Sequence, residues 1–368
     1  MRLIVTGGGT GGHIYPALSI ADKYKEKYED IEILYVGVEN GLESKIVPQY
    51  GYDFRGIKVK GFQRKISIEN VKRVIMALKA TGRAKKIISD FKPDLVIGTG
   101  GYVCGPMVMA ACKKKVPTAI HEQNAFPGIT NKILSKKADR VFLGFEAAKE
   151  RLNCKNDAIV VGNPVRKEIR NSISKEEARL KLNLPIEGKF IIVTGGSGGF
   201  EAINNSFIKI IPELLEHNIG FVFSTGKNYY SAIQKKLKEM NIKTGDNQRV
   251  FEYIEDMPSY LAASDLCIVS AGATTIAEIN AIGRASIIIP KAYTAENHQE
   301  YNAKYVKSKN AGEYILEKEL EETILFEKIM NILGDEEVRI DMENNSKSLN
   351  LEDPCEIIVS EMGKLVRK

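Results

Sequence analysis

A short β-branched run that breaks into glycines occurs twice, half a chain apart. Ile4-Val5-Thr6 runs into Gly7-Gly8-Gly9-Thr10-Gly11-Gly12, and Ile192-Val193-Thr194 runs into Gly195-Gly196-Ser197-Gly198-Gly199. Each is followed by a segment with helical spacing of apolar residues. A strand that ends in glycines and reopens as a helix is the repeating unit of a doubly wound α/β sheet, so two copies imply two similar domains. Later echoes strengthen the duplication: Asp94-Leu95-Val96-Ile97-Gly98-Thr99-Gly100-Gly101 and Asp265-Leu266-Cys267-Ile268-Val269-Ser270-Ala271-Gly272. Glycine loops at helix starts present backbone N–H groups and the positive end of the helix dipole, which suits phosphate or pyrophosphate.

The chain has 368 residues, more than one core usually supports. Strands are predicted at 3–6, 33–38, 95–98, 118–121 and 140–145, with helices at 16–28, 69–91 and 105–114 between them. Gly162-Asn163-Pro164-Val165-Arg166 interrupts the pattern, because proline disfavours helix at the residue before it. An N-terminal domain over 1–163 and a C-terminal domain over 164–352 are expected to face each other across a cleft. The second domain restarts with strands at 190–194, 221–224, 249–252, 266–269 and 285–289. Asp353-Pro354 reads as a helix N-cap followed by proline at the first helical position. The helix at about 353–368 carries an apolar stripe and is expected to pack back on the first domain.

Apolar content of 43% and charged content of 27% fit a water-soluble globular chain. The five cysteines have no zinc spacing and their number is odd, which points to reduced thiols in a cytoplasm. The first residues enter a strand directly, with no signal peptide expected. The net charge of +6 is unevenly spread. Lys58 to Lys86 holds ten basic residues and one acid, Glu69, whereas Glu313 to Glu343 holds eleven acids and three bases. The basic stretch suits an anionic surface or simply a solvated helix face.

Histidine is scarce, limited to His13, His121, His217 and His298. His13 follows the first glycine loop at a helix start, where the dipole favours the neutral imidazole that a general base needs. His121-Glu122-Gln123-Asn124 follows a predicted strand, at the end where parallel sheets bind ligands; a satisfied polar turn is equally open. His217 reads as surface. In Ala271-Gly272-Ala273-Thr274-Thr275-Ile276-Ala277-Glu278, small residues at a strand-to-helix turn allow close approach of a phosphate, and Glu278 lies one turn on. Glu39 could close a nicotinamide-type site after the second strand. There is no D-x-D sequence, and no cofactor or metal is indicated.

Seven motifs in order carry a resemblance: G-G-G-T-G-G-H at 7–13, G-T-G-G-Y at 98–102, H-E-Q-N at 121–124, G-N-P-V-R at 162–166, T-G-G-S-x-G at 194–199, A-G-A-x-T-x-x-E at 271–278 and H-Q-x-x-N-A at 298–303. The chain resembles the MurG family of N-acetylglucosaminyltransferases, which convert lipid I into lipid II. The resemblance implies a GT-B fold of two Rossmann-like domains and the donor UDP-N-acetylglucosamine. It implies His13 as catalytic base, Ser197, Ala273, Thr274, Thr275, Ile276 and Ala277 at the diphosphate, and Ile254 at uracil. Glu278 is implied at the ribose, Gln299 and Asn124 at the sugar, and Thr10, Gly11, Gly12 and Arg166 along the cleft.

The acceptor implied is polyprenyl-linked lipid I, at the cytoplasmic face of a bacterial membrane and with no nucleic acid partner. Val71, Ile75 and Leu78, at helical spacing among Lys72, Arg73, Lys79 and Arg83, then read as a membrane-docking stripe. Two positions depart from the family pattern: Ser270 replaces an arginine, and Phe200 follows Gly199 where alanine is usual. Rival readings are a UDP-N-acetylglucosamine 2-epimerase or other GT-B enzyme, an NAD-dependent oxidoreductase and a non-catalytic nucleotide-sugar-binding regulator.

Overall fold

The computed structural model describes residues 1–59, 68–349 and 352–366. The side chains of Val71, Ile75 and Leu78 also lie outside what is described. The chain divides into two compact units, Met1–Arg166 with Glu352–Lys368, and Lys167–Leu351.

The first unit holds a seven-stranded parallel sheet of β1 (Arg2–Gly7), β2 (Glu32–Val38), β3 (Asp53–Ile57), β4 (Leu95–Gly100), β5 (Thr118–Glu122), β6 (Arg140–Leu143) and β7 (Ile159–Val160). Its order is β3-β2-β1-β4-β5-β6-β7, with every neighbouring pair parallel. The alternation of strand side chains supplies two cores. Leu3, Val5, Leu95 and Ile97 face Ile14, Ala17, Leu18 and Tyr24 of the helix Gly11–Lys27. Ile358, Val359 and Met362 of the terminal helix Pro354–Val366 join that core. Ile4, Val96 and Ile120 point the other way, toward Ala84, Ile87, Met107 and Val108 on the helices Ile68–Phe91 and Cys104–Lys113. A sheet buried on both faces needs continuous apolar strands, and these sequences provide them. Ion pairs from Lys23 to Asp353 at 3.2 Å and to Glu356 at 3.0 Å accompany the docking of the terminal helix.

The second unit repeats the plan with β8 (Phe190–Thr194), β9 (Gly220–Ser224), β10 (Gln248–Phe251), β11 (Leu266–Ser270), β12 (Ala285–Ile289) and β13 (Glu313–Tyr314), in the order β10-β9-β8-β11-β12-β13. All its strand pairs are parallel. In both sheets the order reverses beside the strand that feeds the glycine loop, between β1 and β4 and between β8 and β11. That reversal is where open α/β sheets leave a crevice for ligands. The two Rossmann-like α/β units agree with the fold class expected from the sequence.

Several elements differ from the sequence expectation, three of them around the first glycine loop. The first helix begins at Gly11, five residues before the predicted start at 16. Pro16 stays inside it, giving up one backbone hydrogen bond while burying its ring. Strand β3 and the helix Glu43–Gln49 were not predicted. β3 is a short edge strand with polar residues at alternate positions, and Pro48 sits in the last turn of the helix, so neither carries a strong periodic signal.

Candidate active site

In the first unit the chemistry gathers where β1 and β5 end. Gly7 and Gly8 pack tightly: a Cβ on Gly7 would meet Thr99 Oγ1 at 2.1 Å, and one on Gly8 would meet Glu43 Oε1 at 1.9 Å. Gly9, at φ +86°, turns the chain in open space. Close packing therefore explains the first two glycines, and backbone conformation the third. Thr10 is the N-cap of the helix, exposed and without a side-chain capping bond. Gly11 and Gly12 open the first turn, which contains no acid. Their arrangement leaves the helix start as a place for an anion.

His13 follows immediately and is partly buried. Its carbonyl accepts a hydrogen bond from Thr99 Oγ1 at 2.7 Å. A Cβ on Gly100 would lie 2.7 Å from its ring, so only glycine fits beside it. His13 Nδ1 lies 3.0 Å from Gln123 Oε1, which brings the H-E-Q-N segment to the glycine loop. Within that segment, Gln123 Nε2 is 3.0 Å from His121 Nδ1, and His121 Nε2 is 2.9 Å from the Gly162 carbonyl oxygen. His121 and Gln123 are almost completely buried. Burial lowers His121 to a pKa of about 4, so it is neutral near pH 7.

Glu122 accepts from Asn124 N at 2.9 Å, Asn124 Nδ2 at 3.2 Å, Gly128 N at 3.1 Å and Asn131 Nδ2 at 2.9 Å. Asn163 Nδ2 donates to the Gln123 carbonyl at 3.0 Å. All four residues in H-E-Q-N therefore enter an internal network, and Asn124 is the one that is also partly exposed. The guanidinium of Arg166 lies 5.6 Å from the Tyr15 ring centroid, beside the same helix start.

In the second unit three segments meet. Ser197 stands exposed on the loop after β8. Gly272 caps the helix Ala273–Ile282 with no side-chain bond, so the amides of Ala273, Thr274 and Thr275 open it. Thr274 Oγ1 is buried and, among the described residues, has no hydrogen-bond partner. Ile276 and Ala277 are buried in the same helix, and Glu278 is 6% exposed. Ile254 is 2% exposed, its side chain already packed inward. Gln299 Oε1 accepts from Lys291 N at 2.9 Å, and Lys291 Nζ donates to the Gly199 carbonyl at 2.9 Å. Asn302 Nδ2 donates to the Ala271 carbonyl at 3.1 Å. These bonds tie the H-Q-x-x-N-A segment to both the glycine loop and the A-G-A turn.

Lys291 was not predicted, because a lone lysine after a strand gives no signal. Burial lowers its pKa, and its ammonium also stands 5.0 Å from the Phe200 ring centroid. Glu43 was equally invisible in the sequence, and the G-T-G-G-Y motif held Thr99 and Gly100 without showing that they meet His13, which lies 86 residues from Thr99. Glu39, the candidate for a nicotinamide site, has its carboxylate 3.6 Å from Lys58 Nζ. Among the described residues, no group of three His, Cys, Asp or Glu side chains clusters as metal ligands do.

Comparison with known proteins fits this arrangement. Residues 3–143 match the N-terminal domain of glycosyltransferase family 28, and residues 190–355 match its C-terminal domain. A relative from Clostridioides difficile is 47% identical over 99% of this chain and 89% of its own length; it is a UDP-N-acetylglucosamine--N-acetylmuramyl-(pentapeptide) pyrophosphoryl-undecaprenol N-acetylglucosamine transferase. The crystal structure of Acinetobacter baumannii MurG superposes with a TM-score of 0.78 at 24% identity, covering 99% of each chain. UDP-GlcNAc 2-epimerase from Neisseria meningitidis, bound to UDP-GlcNAc, gives 0.66 at 16% identity, covering 99% of this chain and 100% of its own. The epimerase likeness is one of fold alone, whereas the transferase likeness extends through the sequence. With both of its domains matched in order, each on its own parallel sheet, the chain belongs to glycosyltransferase family 28.

Proposed function

We propose that this glycosyltransferase moves N-acetylglucosamine from UDP-N-acetylglucosamine to the 4-hydroxyl of N-acetylmuramate in lipid I, forming lipid II with inversion at the anomeric carbon. The observation that carries the reading is the 47% identity, over 99% of the chain, to a transferase of that activity. The arrangement within each unit is compatible with it. His13 takes the proton of the acceptor hydroxyl as that oxygen bonds to the anomeric carbon. The bond to the UDP oxygen breaks on the opposite face, and UDP departs with its added negative charge. Amides of Ala273, Thr274 and Thr275, preorganised at a helix start, meet that charge.

In this reading the second unit holds the donor through Ser197, Ile276, Ala277, Ile254, Glu278 and Gln299. The first unit offers Thr10, Gly11 and Gly12 to the acceptor pyrophosphate, with Asn124 and Arg166 beside them. The polyprenyl tail stays in the membrane. Among the described residues no helix is long and apolar enough to cross a bilayer. Peripheral attachment to an anionic cytoplasmic leaflet is supported by the basic stretch from Lys58 to Lys86. Lys58, Lys79 and Arg83 of that stretch line a cavity of about 540 Å³ with Ile57, Met76, Ala80 and one acid, Glu39.

The test is transfer of labelled N-acetylglucosamine to a short-chain lipid I analogue. His13→Ala is expected to cut turnover by about 10²–10⁴-fold with little change in donor affinity. Near-parental turnover in that variant removes His13 from the chemistry, and no product from the unaltered enzyme overturns the acceptor.

A further inference from the structure

The hydrogen-bond chain behind His13 dictates which of its two nitrogens carries the proton. It begins at a carbonyl. The Gly162 oxygen can only accept, so His121 Nε2, 2.9 Å away, is the protonated nitrogen of that ring. His121 is buried with no carboxylate bonded to it among the described residues, so it stays neutral and its Nδ1 carries a lone pair. The Gln123 atom 3.0 Å from that lone pair must then be the amide nitrogen. The same atom lies 3.0 Å from the His121 carbonyl oxygen, which makes the identical demand with its second hydrogen. With both hydrogens committed, Gln123 presents its Oε1 to His13 Nδ1 at 3.0 Å. An amide oxygen accepts, so Nδ1 of His13 bears the proton and Nε2 keeps the lone pair.

We propose that His121 and Gln123 are positioning residues that hold His13 in its Nδ1–H form, with Nε2 as the proton acceptor. The inference rests on the reading of His13 as the base and adds to it which atom acts and what sets it. When Nε2 takes up a proton, Nδ1–H remains bonded to Gln123 Oε1, so the imidazolium is stabilised without rearrangement of the chain. Asn163 holds the backbone of Gln123, and Thr99 holds that of His13, so both ends of the contact are fixed. Elsewhere, orienting a catalytic imidazole in the wrong tautomer lowers kcat by about 10⁴-fold, which sets the scale of what such a relay controls.

The measurement is long-range proton–nitrogen correlation on the full chain with ¹⁵N-histidine, at about pH 8, above the ordinary imidazole value of about 6.5. Four histidines give four resolvable rings, and His217→Gln and His298→Gln remove two of them for assignment. The relay requires Nδ1–H at His13 and Nε2–H at His121. An Nε2–H ring at His13, or an Nδ1–H ring at His121, overturns it. In Gln123→Met, His13 is expected to show both tautomers, with kcat lower by about 10–10³-fold and donor KM within about twofold. A variant that folds and keeps a single Nδ1–H tautomer at His13 also overturns the proposal. The expected ring pattern together with full turnover in His13→Ala would leave the relay standing and remove the base assignment instead.

Discussion

The carboxylate of Glu43 accepts the backbone N–H of Gly9 at 3.2 Å while its other oxygen accepts that of Val38 at 2.7 Å. One fully buried side chain thus fastens the first glycine loop to the end of β2. Gly8, Gly37 and Gly41 surround it so closely that a Cβ on any of them would collide with its side chain. Glu43→Gln turns an amide N–H toward one of the two backbone donors and leaves that donor without an acceptor. The expected cost is about 1–3 kcal/mol, the usual range for an unsatisfied buried polar group. Amide exchange at Gly9 should quicken, while the calorimetric affinity for UDP is unchanged. Parental exchange at Gly9 would show that the loop is held without this carboxylate.

His121 makes stability depend on pH in a defined window. Its folded pKa of about 4 lies below the unfolded value of about 6.5, so between them the unfolded chain binds a proton that the folded chain does not. Stability therefore falls as pH drops from about 6.5 to about 4, by about 3 kcal/mol from this group, and levels off below that. Above about 6.5 the group has no effect. Denaturant titrations at several pH values check this, and His121→Asn should flatten that interval. An equally steep profile in the variant would assign the slope to other groups.

Asp265 contributes to the more acid limb. Burial pushes its carboxyl upward, but Lys175, Arg179 and the Phe190 N–H outweigh that and hold it below the usual carboxylate range. Arg179 Nη2 is 2.7 Å away, with both side chains 3% exposed, so removing the acid strands a buried cation. Asp265→Asn is expected to destabilise the second unit by about 3–5 kcal/mol. In the parent this contribution is complete above the unfolded value of about 3.9 and is lost as pH falls through the lower folded value. The variant should lack that acid-dependent loss. A difference under about 1 kcal/mol at neutral pH would mean that Arg179 is satisfied by the carbonyls of Ala263, Ile186 and Gly188 alone.

The sequence by itself determined the doubled plan. A β-branched run ending in glycine is a local signal, and it located β1 and β8. The same local rule marked Ala273–Glu278, because small residues at a strand-to-helix turn are contiguous in the chain. Continuous apolar runs located the buried strands, and a period-3.6 pattern located the terminal helix. Edge strand β3 and the helix Glu43–Gln49 escaped because half-exposed or proline-containing segments carry little periodicity. The start of the first helix was misplaced because Pro16 looks like a first-turn residue, and only burial against the sheet compensates for its missing hydrogen bond.

The tertiary structure alone decided what surrounds His13. His13 and Gln123 stand 110 residues apart, and the sheet order β1-β4-β5 brings the ends of their strands to one side. Residue types left H-E-Q-N open between a ligand site and a satisfied turn. Hydrogen-bond partners resolved it, assigning His121, Glu122 and Gln123 to the interior and leaving Asn124 partly exposed. The partners of Glu43 and Lys291 were likewise set by strand neighbours. A hydrogen bond depends on distances of a few tenths of an ångström between groups remote in sequence, and a linear pattern does not encode those distances until the sheet has formed.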